Sequence, residues 1–461
     1  MEEYVSYGIV SVLPVITILV IAVATRRTLF AMCCGLTVAV IILTEKAIDT
    51  PSLWFDYCCR SMANETAQWL ILIIAMFGVL IKLFEKSNAV IDFGNWVTKY
   101  IKTKKQALIC TALMGIIIFL EDYLNNLTVG TTMKSVTDRL AIPRTQLALI
   151  VNGMAAPVCL LIPMSSWAVF YGALLEDQGV LVNGTGMGAY IAGIPYAFYA
   201  WIIVIIVILQ LLGVFPKIGR VKRDTIRAEE TGNVMPEDME PLFAHESVDE
   251  VEEGYNPKPW NFLIPLAVMV AVTIVMDINV LLGSAAGALV AIILYLAERK
   301  FTFKEMCQYS FEGLLDMGFV FALTVLAFAV VTANEDLGLA NFIISITLPI
   351  MKGSFLPAVV FLVCGVYAYA TGCFWDLAAI ITPIVIPLAI AMDVDPIIAA
   401  AAIFSGTAFG SNTCLYGDGV ILCSQGCGIQ PYHLMTTTLP YAITAGVITE
   451  ILYLIVGFVF M

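Results

Sequence analysis

Phe119-Leu120-Glu121-Asp122-Tyr123-Leu124-Asn125-Asn126-Leu127-Thr128-Val129-Gly130 sets two acids and two amides directly behind the apolar run 106–120. The rest of the chain decides what that means. Of 461 residues, 60% are hydrophobic and 13% charged, and the mean hydropathy is +0.93. A soluble domain has about 45–50% apolar and about 25% charged residues, so a water-facing surface cannot be built here. A soluble enzyme is excluded. Apolar windows approaching the ~20 residues of a membrane span recur along the chain, so lipid is the solvent. At that depth two carboxylates are costly unless they face a cavity, a partner or an ion. The formal net charge of −13 argues against nucleic acid as a partner.

Working outward, basic residues surround this stretch on both sides. Cytoplasmic loops hold the excess of Lys and Arg. If the N-terminus is outside and 106–137 enters and leaves as a hairpin on the cytoplasmic side, Lys99–Lys105 and Arg139–Arg144 share one face. Of the 23 basic residues, 20 then lie inside, and only Lys46, Arg60 and Lys352 lie outside. A single crossing would split that cluster across the bilayer. The acidic start Met1-Glu2-Glu3 lacks a basic leader region, so the first apolar run, 4–25, is expected to be a retained span.

The pattern occurs twice. Asn152-Gly153 and Ser405-Gly406 interrupt apolar runs 253 residues apart, and Asp122 and Asp376 end short apolar segments 254 apart. The expected fold is an all-α polytopic membrane protein with two inverted-topology repeats. Each would hold about five transmembrane helices plus a re-entrant hairpin, with broken helices at a central site. Residues 1–213 form the first repeat and 260–461 the second. Residues 214–259, with 11 acids against 6 bases, form an acidic cytoplasmic linker, expected to be solvated and mobile. Inverted repeats with broken helices are the architecture of secondary transporters. The 12 cysteines include the adjacent pairs Cys33-Cys34 and Cys58-Cys59 and read as small packing residues. Cys423 and Cys427 lack a second ligand pair for a metal.

Polar residues concentrate at four breaks. On a helix, Asp122, Asn125 and Asn126 share one face, and a carboxylate with amide oxygens suits Na⁺ or a carried proton. Gly153 and Pro157, followed by Ser165, Ser166 and Trp167, mark the first broken span. Trp375 and Asp376 mark the second hairpin. Ser405, Thr407, Ser411, Asn412 and Thr413 mark the second broken span. Each polar set also has a structural reading, as helix caps or as hydrogen bonds between packed helices.

These segments resemble the NhaC-type sodium/proton antiporter family, within the larger ion-transporter superfamily. The match runs through Phe119–Tyr123, Asn125, Leu127–Gly130, Thr137-Asp138, Ala155–Cys159 and Pro163–Trp167. It continues in Ala370-Thr371-Gly372, Trp375, Pro383–Pro387, Phe409–Asp418 and Leu439–Ala442, nearly the whole chain. Two positions depart. Where the family commonly carries an Asp and then a His or Asn after the Phe-Gly, this chain has Ser411 and Asn412. The small residue after the family's Trp is here Asp376. The departure implies an altered second-half ion site.

The resemblance implies a cation-coupled Na⁺/H⁺ antiporter working by alternating access in the cell (plasma or inner) membrane. The alternative is a Na⁺- or H⁺-coupled transporter or exchanger of an amino acid or small organic acid, like malate/lactate exchangers. Asp122 is the expected protonation or Na⁺ carboxylate, with Glu121, Asn125, Asn126, Thr128 and Asp376 in the ion set and Na⁺ itself at Asp122 and Asn125. Asn152, Ser405 and Asn412 complete the cavity. No HExxH or GxSxG occurs, so no enzyme is expected, nor any cofactor beyond Na⁺ and H⁺ as coupling ions. Expected partners are the bilayer, these ions and a small organic solute. A homodimer follows by analogy with elevator-like transporters.

Overall fold

The computed structural model describes residues 7–25, 28–44, 47–237, 258–276, 279–372, 374–415 and 417–459. Side chains of eight further residues, Asp376 and Asp418 among them, lie outside the described set, so the expectation placed on Asp376 is not addressed. Among the described residues the secondary structure is helical, apart from one isolated bridge, Val182 to Thr185. Six helices are long and apolar enough to cross a bilayer, and a seventh arises if Gly186–Tyr196 and Phe198–Leu211, bent by 50°, count as one span. Others are shorter. Leu13–Thr25 has 13 residues, about 20 Å of helix against a ~30 Å hydrocarbon core.

The hairpin is formed by Lys104–Ile117 and Asp122–Arg139. Its two ends lie together, because Lys104 Nζ donates to Ala141 O at 3.2 Å. A second hairpin joins Leu356–Thr371 to Trp375–Ala391. It also closes at its base, where a Cβ on Gly353 would stand 2.7 Å from Met392 O. Helix Pro431–Val459 shows how the bases are placed. Just before its start, Gly428 O accepts from Arg144 Nη1 at 3.0 Å, at the first base. Near its end, Gly457 packs on the backbone of Ser354, at the second base. The span between them is roughly 40 Å of helix. The hairpins therefore open toward opposite ends of the molecule, as an inverted pair requires.

The order of elements recurs as well. Asn88 and Gly338, 250 residues apart, take left-handed φ of 54° and 67° ahead of helices Ala89–Thr98 and Leu339–Thr347. Ala141 and Asp393, 252 apart, have φ of 50° and 56°. Each precedes an 18-residue helix, Arg144–Leu161 and Pro396–Thr413. Left-handed turns thus stand at matching places in the two halves.

The ion pairs of Lys82 and Arg60 lie at opposite ends of the stretch Phe303–Asp336. Lys82, expected inside, pairs with Asp316 at 2.9 Å. Arg60, expected outside, lies 3.7 Å from Asp336, which also accepts from Tyr57 Oη at 2.6 Å. The two aspartates are 20 positions apart, about 30 Å of helix and one bilayer core.

The expectation of a solvated linker fails at its start. Gly219–Thr231 is a helix that buries Val221, Asp224, Thr225 and Ala228. Asp224 Oδ2 accepts from Thr145 Oγ1 at 3.0 Å, and Val234 O accepts from Arg144 N at 3.0 Å. Val221, Thr225 and Ala228 recur at i, i+4 and i+7, a helical period that charged neighbours disguise in the sequence. Residues 238–257 lie outside the described residues.

Helices Glu65–Lys86 and Phe303–Asp316 cross at facing glycines. A Cβ on Gly78 would run into Gly313 O, and one on Gly313 into Gly78 O. Backbone cannot move aside as a side-chain tip can. Gly78→Ala is therefore expected to cost about 1–3 kcal/mol through overpacking, read as a lower melting temperature in detergent. Gly318→Ala, whose Cβ meets nothing within 4 Å, serves as the comparison. Equal melting points for the two variants would refute the close crossing.

Candidate functional site

The tip of the first hairpin is held by its own polar residues. Glu121 is extended (φ −154°, ψ 134°) and its carboxylate accepts the Leu124 N–H at 2.9 Å, capping the second arm. Asn125 Nδ2 donates to Gly115 O at 2.7 Å and to Ile118 O at 2.9 Å. Those carbonyls end the first arm and have no helical partner ahead of them. Asn125, expected as an ion ligand, is thus first a tie between the arms. Its Oδ1 is buried without a hydrogen bond. The tip is fastened to the first broken span, Arg144–Leu161 and Ser166–Asp177. Cys159 Sγ donates to Phe119 O at 3.1 Å, and Ser166 N to Leu120 O at 3.0 Å.

Asp122 is fully buried and accepts from Trp167 Nε1 at 2.9 Å. Trp167 stacks on Phe374 (centroids 5.6 Å, planes 14° apart) and lies 5.2 Å from Trp375, both at the tip of the second hairpin. The second broken span, Pro396–Thr413 and Asp418–Cys427, closes the other side. Gly426 sits so near the first hairpin that a Cβ would be 2.9 Å from the Asn126 and Leu127 carbonyls. Gly419, about two turns earlier, leaves a gap of methyl size. The point where its Cβ would stand is 3.5 Å from Asn126 Nδ2, 3.6 Å from Asp122 Oδ2 and 3.9 Å from Ser411 Oγ. A carboxylate, an amide and a hydroxyl from two distant parts of the chain thus meet around one missing side chain. Asn126 Oδ1 is buried without a hydrogen bond, and an amide turned about its last bond presents oxygen in place of nitrogen.

The other expected residues fall into distinct groups. Asn152 and Asn412 exchange bonds: Asn152 Nδ2 reaches Asn412 O at 2.9 Å, and Asn412 Nδ2 reaches Asn152 O at 2.7 Å. Asn152 also donates to Thr438 Oγ1 at 3.1 Å. This clamp joins the two broken spans and leaves Asn412 Oδ1 buried without a bond. Ser405 bonds the Tyr453 hydroxyl at 2.8 Å, and Thr407 bonds the Tyr171 hydroxyl. Thr413 donates to Phe409 O in its own helix at 2.7 Å. Ser165 caps its helix at Ala168 N, 3.1 Å. Gly153 lets Val207 approach, and Pro157, inside its helix, leaves the Gly153 carbonyl without its usual donor.

Glu121, Thr128, Ser166 and Trp375 instead line a separate cavity of about 720 Å³. It extends along helix Glu65–Lys86 from Ile74 to Glu85, about 16 Å of helix rise. Thus Glu121 lines this cavity while Asp122 holds Trp167, and the two carboxyl groups meet between them. Sequence reasoning missed Gly419, Phe374 and Arg144. Gly419 follows Gly417 and Asp418 in a polar run, but only contact with the other half of the chain gives it meaning. Arg144, read as a charge marker, pairs with Asp138 at 2.8 Å and ties the first hairpin base to Gly428.

Known proteins resemble this chain at three levels. Residues 158–458 match the Na⁺/H⁺ antiporter family. An uncharacterized protein of Haemophilus influenzae is 23% identical over 495 residues, covering 99% of this chain and 92% of that protein. The fold is similar to the crystal structure of the YdaH transporter of Alcanivorax borkumensis, at a TM-score of 0.59 and 12% identity over 89% of each chain. The Neisseria gonorrhoeae MtrF structure aligns at a TM-score of 0.47 and 14% identity, over 89% of this chain and 85% of that one. With the family match covering more than half its length and the spans that its composition demands, the chain belongs to the Na⁺/H⁺ antiporter family: a secondary transporter and a multi-pass membrane protein.

Proposed function

We propose that this protein exchanges Na⁺ for H⁺ across the cell (plasma or inner) membrane by alternating access, with Asp122 as the carboxylate that takes either ion. It acts as a carrier and not as an enzyme. The observation that carries this reading is the set around Gly419: Asp122, Asn126 and Ser411 converge on one gap in a buried region. A hard cation prefers oxygen ligands, and a single buried charge demands a counter-ion or a proton. Asn125 Oδ1 and Asn412 Oδ1, buried and without hydrogen bonds, are further oxygens within the same core. Because the ligands come from the first hairpin and the second broken span, an ion held there ties the two together. Losing it frees them to separate, which is what alternating access requires.

Ser411 stands where the family commonly has an acid, so among the described residues Asp122 is the carboxylate that meets Asn126 and Ser411 beside Gly419. The second reading, carriage of an organic solute, is favoured by the size of the cavity beside Glu121: about 720 Å³ is far more room than an ion needs.

In everted vesicles carrying the protein, Na⁺ should dissipate a preformed pH gradient, and Asp122→Asn should reduce that response to the level of empty vesicles while insertion is unchanged. Retained exchange in the variant would refute the assignment. Competition of Na⁺ and H⁺ for one carboxylate has its own signature. Below the pKa of that group, half-saturating Na⁺ should rise about tenfold for each unit by which pH falls. A Na⁺ requirement independent of pH would point to separate sites.

The gap itself is testable. Gly419→Leu, which fills it, should raise half-saturating Na⁺ by about tenfold or more, a loss of one good ligand contact. Gly419→Ala should have a smaller effect, because its Cβ would meet its neighbours at ordinary contact distance, 3.5–3.9 Å. If both variants transport with unchanged Na⁺ dependence, the ion binds elsewhere.

A further inference from the structure

The cavity beside Glu121 has a composition that selects by charge. Most of its wall is aliphatic or aromatic, including Phe77, Phe84, Phe170 and Trp375. Three of the described residues that line it are acidic, Glu85, Glu121 and Asp316, and none is Lys or Arg. Two of the acids are already answered from behind the wall: Lys82 Nζ lies 2.9 Å from Asp316 and 3.2 Å from Glu85. Glu121 is not answered in this way. Its carboxyl group takes the Leu124 N–H and meets the Asp122 carboxyl, so a second acid stands behind it, and no Lys or Arg among the described residues forms an ion pair with it.

We propose that this cavity binds an organic ammonium ion with an apolar, preferably aromatic, body, its charged group on Glu121 and its body against Phe170, Trp375 and Phe77. A carboxylate solute would face like charge here and no basic group, so the acid of one sign argues against the organic-acid alternative. Aromatic faces attract a cation and stack on an aromatic body, so one set of walls serves both ends of such a solute. The volume falls in the range of sites that enclose a small organic ligand, about 300–1,000 Å³. The inference rests on the transporter reading above and names the solute class that the cavity beside its ion site would take.

Binding to the purified full-length protein tests it, with three probes that share a 2-phenylethyl body and differ in the group it carries: 2-phenylethylammonium, 2-phenylethanol and 3-phenylpropionate. By calorimetry, the ammonium ion should bind saturably and at least tenfold more tightly than either of the others. Glu121→Gln should weaken the ammonium ion by about tenfold or more and leave the alcohol within twofold. Val320→Trp, which narrows the wall, should weaken all ligands that bind. The wild-type ranking decides the matter even if Glu121→Gln fails to fold. The proposal is overturned by propionate binding as well as ammonium, by no saturable binding of the ammonium ion, or by a folded Glu121→Gln variant that binds it unchanged. The Na⁺ response of the same preparation in vesicles, and its loss in Asp122→Asn, reads the transporter assignment separately. Failure of one is thereby distinguished from failure of the other.

Discussion

A peptide group inside a bilayer has no water to bond with, so every break in a helix must be answered by protein. That constraint orders this structure. The first hairpin turns at Ile118–Glu121 only because the Asn125 amide takes up the Gly115 and Ile118 carbonyls, while Glu121 takes the Leu124 N–H. The two broken spans are clamped by Asn152 and Asn412, each donating to the other's backbone carbonyl. Polar side chains at membrane depth therefore do two kinds of work. Some repair the backbone, and those that remain are available to a ligand. Asn125 shows both in one group, its amide nitrogen spent on repair and its oxygen left over.

Much of this was legible from residue types. Glu, Asp and two Asn in lipid announce a break, and the basic residues flanking it show that the chain turns back. The pairs Lys82–Asp316 and Arg60–Asp336 lie at opposite ends of one helical stretch. What was not legible depends on contacts between distant segments. Gly419 has no sequence signal, since its role is the space left between Asp122, Asn126 and Ser411. Ser405 and Thr407, polar in a broken span and so expected at the cavity, instead bond Tyr453 and Tyr171 across helix contacts. Hydroxyl chemistry alone does not separate these uses. The helix Gly219–Thr231 was hidden for another reason. Three small or branched residues and a buried Asp224 carry its inner face, too little apolar content to stand out among charges.

The adjacency of Glu121 and Asp122 has a mechanical basis. Glu121 is the cap, with extended backbone, and Asp122 is the first helical residue. The change of backbone conformation between them lets the two side chains reach different neighbours while their carboxyl groups stay in contact. One lines the large apolar cavity and the other lies in the buried gap beside Trp167. Neighbouring acids would ordinarily compete for one counter-ion and raise each other's cost of ionisation. Here the two carboxyl groups do meet, and each also reaches a different space, Glu121 the cavity and Asp122 the side of Trp167.

That arrangement bears on coupling. Trp167 holds Asp122 through its indole N–H and contacts Trp375, which in turn lines the cavity. Events on the two sides of Glu121-Asp122 are therefore linked by one ring-to-ring contact as well as by the peptide bond itself. A change of charge at either acid alters the field at the other over a few ångströms, in a medium that screens poorly. Coupling between an ion and a solute then needs no long pathway through the protein. It needs only that the hairpin tip, fixed by Asn125 and fastened at Leu120 and Phe119, move as one piece.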